Sequence, residues 1–202
     1  GFAWGAFGLT VLCIQGCKNV RGTALETLGS HAKALQELNI ANIGPFSEKS
    51  LRKLLTSNTT LTYVNASNNR GVTDKTFSEM EIPNSGGIAI FLPHIKRLSL
   101  AHTSLTGFGV ACLSERCANL EHLDISGHAY INDAALSVVA GCCRSLKSLW
   151  LNDCPAITDK GVISICYACK FMEVLHLSDS RRVLNAWGTR VTQFSDAIIE
   201  AC

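Results

Sequence analysis

The sequence has almost no excess of charge: 18 basic and 16 acidic residues leave a formal charge of +2. This balance gives no electrostatic reason to expect binding to nucleic acid or to an anionic membrane surface. The sequence also has no apolar stretch of the ~20 residues that a membrane-spanning helix requires. We therefore predict a protein that binds no nucleic acid and is not inserted in a membrane.

The motifs of common catalytic and cofactor sites are also missing. Gly86-Gly87 stands alone, without the glycine spacing and lysine of a phosphate-binding loop. Cys166 and Cys169 have the CxxC spacing of redox and zinc sites, but no second pair accompanies them. Both cysteines fall in a predicted helix, where a structural role is the simpler interpretation. We predict no enzymatic activity and no cofactor.

What the sequence does contain is a repeated apolar pattern. Leu120, Leu123 and Ile125 recur as leucines 26 residues later. Each copy begins with the alternation of a short strand, and apolar residues three apart then predict a helix. Regular repetition at such a period is the mark of a solenoid. Seven copies begin near Leu9, Leu35, Leu61, Ile95, Leu120, Leu146 and Met172.

Two polar positions in each copy predict how its backbone turns. The eighth residue after the first apolar one is expected to hydrogen-bond the turn that follows the strand, as Asn69, Thr103 and His128 would. Ile43 stands there in the second copy, so we expect a looser turn. Thr158 and its counterparts Thr73 and Asn132 are predicted to cap the helices, because their side chains accept hydrogen bonds from free amides.

These features predict the fold class. A single copy cannot bury both its strand and its helix, whereas stacked copies can. We expect one α/β solenoid domain over residues 1–202, with about seven repeats, parallel strands on the concave face and helices on the convex face. Neither end shows a capping unit, and we expect the 202 residues to belong to a longer chain. A helix is expected after Ser195-Asp196.

Most of the ten cysteines occupy repeat positions that face the predicted core. Free cysteine behaves as a small buried hydrophobe. We predict that Cys117, Cys143, Cys154 and Cys169 are buried and reduced. Reduced thiols indicate an intracellular, reducing compartment, with the cytoplasm as the expected location.

The segment Leu146 to Cys169 follows the pattern L-x-x-L-x-L-x-x-C-x-x-I-T-D-x-G-V, with a cysteine near the helix end. It resembles the cysteine-containing leucine-rich repeat and is similar to the repeat domain of F-box/leucine-rich-repeat proteins. The resemblance implies a leucine-rich-repeat solenoid. It further implies a non-catalytic domain that recognises substrates for a cullin-type ubiquitin ligase, with ligase components among its partners.

The strand residues that point away from the core form a second set of expectations. Trp150 is the most informative of them, because an outward-facing tryptophan amid small polar residues gains from a protein partner. His122, Asp124 and His176 share this face, and a metal there is the weaker interpretation. We expect partner contacts on the concave face from Tyr63, Arg97, His122, Asp124, Trp150 and His176.

An insertion over residues 181–193 interrupts the last repeat. Long loops that break a regular repeat are often functional, and arginine with tryptophan suits an acidic or aromatic partner surface. We expect partner contacts there from Arg181, Arg182, Trp187 and Arg190. The alternative to a ligase receptor is a structural scaffold subunit of a large assembly, such as an axonemal or organellar complex.

Overall fold

The computed structural model describes residues 8–80, 91–178 and 199–200. Within them, eight strands form one sheet in which each strand pairs in parallel with the next along the chain. The strands are β1 (Val11–Cys13), β2 (Glu37–Asn39), β3 (Tyr63–Asn65), β4 (Arg97–Ser99), β5 (His122–Asp124), β6 (Ser148–Trp150), β7 (Val174–His176) and β8 (Ile199–Glu200).

Each of the first six strands is followed by a helix, so that strand and helix alternate along the described chain. The helices are α1 (Gly22–His31), α2 (Glu48–Ser57), α3 (Asp74–Ser78), α4 (Gly107–Arg116), α5 (Asp133–Cys142) and α6 (Asp159–Ala168). This is the leucine-rich-repeat solenoid predicted from the apolar pattern. The strands form the concave layer and the helices the convex layer.

The strand register follows from the spacing of the repeats. Leu98 lies opposite Leu123, and Leu123 lies opposite Leu149, so the central residue of each strand stacks on its equivalent in the next. These three leucines are buried. Because strand side chains alternate between faces, the residues on either side of each central leucine point away from the core.

The inward faces of strands and helices form one continuous cluster of buried side chains that extends from Leu25 to Leu177. The apolar helix pairs predicted from the sequence belong to it, including Leu136 with Val139 and Val162 with Ile165. Burying a side chain of this size contributes about 1.5–3 kcal/mol relative to leaving it exposed. No single repeat contains a core of its own, so this contribution depends on stacking.

Side chains at the predicted turn position bond the backbone as expected. Thr103 Oγ1 donates to the Leu100 carbonyl at 2.9 Å. His128 Nδ1 lies 2.9 Å from the Ile125 carbonyl oxygen, and its Nε2 lies 3.0 Å from Thr103 Oγ1. Burial lowers the pKa of His128, while the bond to the Ile125 carbonyl acts in the opposite direction.

The second turn, where Ile43 stands, is bonded by the following repeat. Asn69 Oδ1 accepts from the Ile43 amide at 3.1 Å, and Asn69 Nδ2 donates to the Ile40 carbonyl at 2.8 Å. The same amide group also contacts the carbonyls of Ala66 and Ser67 in its own turn. One buried asparagine therefore serves two consecutive turns, which the expectation of a looser second turn did not include.

The helices begin where the sequence predicted, and their caps are linked from repeat to repeat. Asn132 and Thr158 accept hydrogen bonds from amides in the first turns of α5 and α6. The carboxylate of Asp133, the first residue of α5, accepts from the Thr158 amide at 2.8 Å and from its hydroxyl at 2.6 Å. Asp74 bonds Thr106 in the same way, at 2.8 and 2.7 Å.

The helix ends carry a matching row of thiols. Cys117, Cys143 and Cys169 are the C-caps of α4, α5 and α6, and all three are fully buried. Cys169 Sγ donates to the Cys143 carbonyl at 3.5 Å, and Cys143 Sγ donates to the Cys117 carbonyl at 3.6 Å. The predicted burial of these residues, and of Cys154, is confirmed.

The expectation of a helix near the C-terminus is also wrong. A helix was predicted after Ser195-Asp196, but Ile199 and Glu200 form β8, in register with Leu175 and His176. Ile199 is β-branched, which favours an extended backbone, and the edge of β7 supplies hydrogen-bonding partners. Among the described residues, no helix is both long and apolar enough to cross a membrane.

Candidate functional site

The concave face presents two columns of outward-facing side chains, and the strand register determines both. The first residue of each strand forms one column, in which Tyr63, Arg97 and His122 are consecutive. The last residue of each strand forms the other, in which Asp124, Trp150 and His176 are consecutive. All six concave residues predicted from the sequence thus lie on five adjacent strands.

Arg97 is exposed, and its guanidinium lies over the Tyr63 ring, with its carbon 4.4 Å from the ring centroid. This cation–π contact fixes a long side chain flat on the sheet without neutralising its charge. Arg97 has no ion pair among the described residues. Burial lowers the pKa of the neighbouring His122, and the Arg97 charge lowers it further, so both favour the neutral imidazole.

Asp124 is the acidic group of the same face, one strand further along. Its Oδ2 accepts from the Ser99 hydroxyl at 3.0 Å, and its Oδ1 accepts from the Ser126 amide at 3.1 Å. These bonds hold the carboxylate in place, and each oxygen keeps a further lone pair for a donor. No basic side chain within the described ranges forms an ion pair with it.

Trp150 lies beside Asp124 and is half-buried. Its ring stacks on that of His176, with centroids 5.7 Å apart and planes 9° from parallel. In the part of the chain that the structure describes, the indole N–H has no hydrogen-bond partner. The pair therefore offers a flat apolar surface together with a free donor, a combination that is common in protein interfaces.

Five of the six predicted residues line one open recess of about 360 Å³. His176 borders it through its stack on Trp150. The recess places a cation and an anion on neighbouring strands, next to an aromatic surface, and neither has an ion-pair partner among the residues that the structure describes. Tyr63, Arg97, His122, Asp124 and Trp150 line it, together with Leu98 and Ser99.

A row of alternating charges borders this face and was not predicted. Glu121 lies between two lysines: Lys96 Nζ is 3.0 Å from its Oε1, and Lys147 Nζ is 2.6 Å from its Oε2. Hydrogen bonds from Lys147 and Lys96 lower the pKa of Glu121 to about 2. The signal was present in the sequence, because Lys96, Glu121 and Lys147 all directly follow the first apolar residue of a repeat.

Metal and redox chemistry have little support in this geometry. Trp150 stands between Asp124 and His176 in the strand register, and so separates two of the residues considered for a metal. No group of three possible ligands occurs among the described residues. Burial raises the pKa of Cys166 and that of Cys169, the latter to about 11, whereas a redox-active thiol needs a lowered one.

The predicted insertion contacts lie outside the described residues. Arg181, Arg182, Trp187 and Arg190 fall between residues 178 and 199, and their role stays a prediction.

Comparisons with known proteins agree with the assignment of leucine-rich repeats. A family model described as Leucine Rich repeat matches residues 116–140 and 142–166. F-box/LRR-repeat protein 4 of Bos taurus is 28% identical over 85 residues, which are 41% of this chain and 14% of that protein. F-box/LRR-repeat protein 5 of Mus musculus is 39% identical over 77 residues, 37% of this chain and 11% of that protein. The chain therefore matches only a small part of each relative.

Solved structures with the same fold cover most of the chain. Internalin C2 of Listeria monocytogenes superposes with a TM-score of 0.61 at 18% identity, over 98% of this chain and 82% of that one. Rad7, solved in a complex with Elc1 in yeast, superposes with a TM-score of 0.60 at 21% identity, over 90% of this chain and 52% of that one. At these identities the likeness concerns the solenoid fold.

Proposed function

We propose that this leucine-rich-repeat chain is a non-catalytic protein-binding domain, and that its concave face recognises the substrates of an F-box-type ubiquitin ligase receptor. The observation that carries the proposal is the recess on β3 to β6. Within the described ranges, it holds Arg97 and Asp124 without ion-pair partners, next to the Trp150 indole N–H, which has no hydrogen-bond partner there. An isolated structural face has no need of such groups, whereas a protein partner would use all three.

The dimensions of this face suit an extended polypeptide segment. Adjacent strands are ~4.8 Å apart, so the distance from Tyr63 on β3 to His176 on β7 is about 19 Å. An extended chain covers ~3.3 Å per residue, and about six residues would therefore cross the face. We expect the segment to carry an acidic group against Arg97, a donor against Asp124 and an apolar side chain against Trp150.

The ligase role is supported by the partial similarity to two F-box/LRR-repeat proteins. In this proposal an F-box elsewhere in the full protein contacts the ligase, and the repeats contact the target. The protein then acts in a reducing, intracellular compartment, the cytoplasm, in agreement with its buried thiols.

The test compares the full protein with a variant in which Arg97→Ala and Trp150→Ala are combined. Both are tagged in their native cells, with proteasomes inhibited, and their associated proteins are quantified. We expect cullin-ligase components with both forms, and one or more ubiquitinated proteins with the wild type alone. Absence of ligase components, with constant stoichiometry in one large particle, would instead support a scaffold subunit.

A further inference from the structure

The concave face carries a negative charge that the fold itself does not require. Asp124 Oδ1 accepts from the amide two residues further along, that of Ser126, at 3.1 Å. Asn39 and Asn65 occupy the same position on β2 and β3, and their Oδ1 atoms accept from the equivalent amides at 3.1 and 3.0 Å. Because a neutral side-chain amide makes this bond at the same distance, the charge of Asp124 serves another purpose.

A chain of hydroxyl groups holds the second oxygen of this carboxylate. Ser99 Oγ donates to Asp124 Oδ2 at 3.0 Å, and it therefore accepts from Ser67 Oγ, which is 2.7 Å away. Each oxygen of Asp124 thus has one internal donor and keeps a further lone pair. Within the described ranges, no basic side chain forms an ion pair with Asp124. Two fixed oxygens that border an open recess match the paired N–H groups of a guanidinium.

An aromatic surface stands beside the carboxylate. Trp150 lies opposite Asp124 in the strand register, and His176 follows Trp150 on the next strand. Because the His176 ring stacks on one face of the indole, the other face is turned towards the strand that carries Asp124. Both Asp124 and Trp150 line the recess. A planar cation bound to the carboxylate would therefore lie against the indole.

The same face already contains a contact of this kind. The guanidinium carbon of Arg97 lies 4.4 Å from the centroid of the Tyr63 ring, and the two residues are paired on adjacent strands. The spacing of the strands thus allows an arginine to cover an aromatic ring on this sheet. Over the Trp150 ring, in contrast, no cationic side chain lies among the residues that the structure describes.

We propose that Asp124 and Trp150 form a subsite for an arginine side chain of the substrate, with its guanidinium donating to both carboxylate oxygens and stacking on the indole. The inference rests on the proposed recognition role of the concave face and names a residue type that this face selects. The apolar stem of the arginine supplies the apolar contact expected at Trp150. Lysine fits less well, because its ammonium group is compact and has no planar pair of donors.

Arg97 determines where the acid of the same segment lies. Arg97 pairs with His122, so Asp124 is one strand across and two residues along from it. With ~4.8 Å between strands and ~3.3 Å per residue, these two positions are about 8 Å apart. Side chains two residues apart in an extended chain share a face and are separated by about 7 Å. We therefore expect the acidic residue of the substrate two positions from its arginine.

The experiment is a selection with random heptapeptides displayed on phage against the 202-residue chain, with counter-selection against Asp124→Asn. This variant keeps the oxygen that accepts from Ser126, as Asn39 and Asn65 do, and removes the charge. We expect the peptides that prefer the wild type to share an arginine with Asp or Glu two positions away. Asp153→Asn is the matched control, because Asp153 is exposed, lies outside the recess and loses the same charge.

A synthetic peptide of that consensus is then titrated by calorimetry. Asp124→Asn should weaken its binding by about tenfold or more, whereas Asp153→Asn should leave the affinity unchanged. Replacing the peptide's arginine with citrulline, which has nearly the same shape and no charge, should weaken binding to the wild type by a similar factor. The two changes together should cost little more than either alone, because both remove one interaction.

The inference is overturned if no selected peptide distinguishes the wild type from Asp124→Asn, if the consensus has no arginine, or if citrulline binds as tightly as arginine. The citrulline peptide leaves the protein unchanged, so it tests the subsite even if Asp124→Asn lowers the melting temperature. Failure of the proposed function has a different signature, in which wild type and the combined Arg97→Ala and Trp150→Ala variant retain the same ubiquitinated proteins.

Discussion

The rings of Trp150 and His176 lie nearly parallel, 9° apart, with their centroids separated by 5.7 Å. The stack joins two neighbouring strands on the concave face and covers part of the indole, so that Trp150 is half-buried and not fully exposed. Because the indole is held by a neighbour before a partner arrives, less side-chain entropy is lost on binding. This arrangement is expected of an interface anchor.

Trp150→Ala should weaken the binding of a concave-face partner by about 2 kcal/mol or more, while the protein stays folded. Trp150→Phe should have a smaller effect, because it keeps an aromatic ring at this position while it removes the indole N–H and part of the ring surface. Calorimetric titration with a partner identified by purification gives both values, and circular dichroism verifies the fold. Tyr167→Ala, on an exposed aromatic of α6, is the control. Equal affinities for wild type and Trp150→Ala would remove Trp150 from the site.

Asn69→Ala should destabilise the chain by about 3 kcal/mol, because it leaves several buried backbone groups of two turns without partners. Asn119→Ala provides a matched comparison, since Asn119 is exposed and its side chain makes one hydrogen bond among the described residues, to the Pro93 carbonyl. Denaturant titration of both variants measures the difference. A similar small loss in both would show that Asn69 does not hold the Ile43 turn.

Stability should depend on Glu121 in acid. The folded pKa of Glu121 is about 2, below its ordinary value of 4.5, so the group stabilises the folded state above pH 4.5. That contribution is lost as the pH falls through the folded pKa, where the carboxylate is protonated in both states. The melting temperatures of wild type and Glu121→Gln should therefore converge between pH 4.5 and pH 2.

Salt provides an independent check of the same ion pairs. Because the side chains of Lys96 and Lys147 are 57% and 40% exposed, salt should screen their ion pairs and reduce the stability difference between wild type and Glu121→Gln at neutral pH. If the difference in melting temperature between wild type and Glu121→Gln does not change with pH or with salt concentration, the ion pairs contribute nothing to stability.

The thiols should react in two classes. Burial raises the pKa of Cys143 to about 12 and also raises that of Cys117, so neither forms a thiolate in the folded protein. Cys13 and Cys17 are exposed. Mass spectrometry after brief treatment with iodoacetamide should find modification at the two exposed sites, and at Cys117 and Cys143 only after denaturant is added. Rapid native modification of Cys143 would contradict its place in the core.

The sequence could predict the concave columns because repeat spacing and strand register are the same quantity in a solenoid. Once Leu123 and Leu149 are equivalent, Asp124 must lie opposite Trp150. Contacts that depend on side-chain rotamers could not be predicted from the sequence. The stack of Trp150 on His176 and the placement of Arg97 over Tyr63 are set by packing between neighbours, which spacing does not encode.

Departures from the repeat were harder to interpret than the repeat itself. Ile43 was expected to leave its turn without a side-chain hydrogen bond. Nothing within its own repeat indicates that Asn69 of the next repeat bonds this turn. The sequence analysis likewise did not interpret Gly107, the first residue of α4. The lack of an acid there has meaning only by comparison with Asp74 and Asp133, whose carboxylates bond the caps of the next helices. The strand at Ile199 forms by pairing with the edge of β7, and the residues around Ile199 do not by themselves indicate this pairing.

Many of the side-chain bonds between repeats run in one direction. The donor belongs to the later repeat and the acceptor to the earlier one at Asn69 to Ile40, Cys143 to Cys117 and Thr158 to Asp133. A nascent chain emerging from the ribosome would therefore complete each repeat only after the next had been synthesised. Folding during translation should proceed towards the C-terminus one repeat behind synthesis, and a translational pause within a repeat would leave the carbonyls of its predecessor open to water.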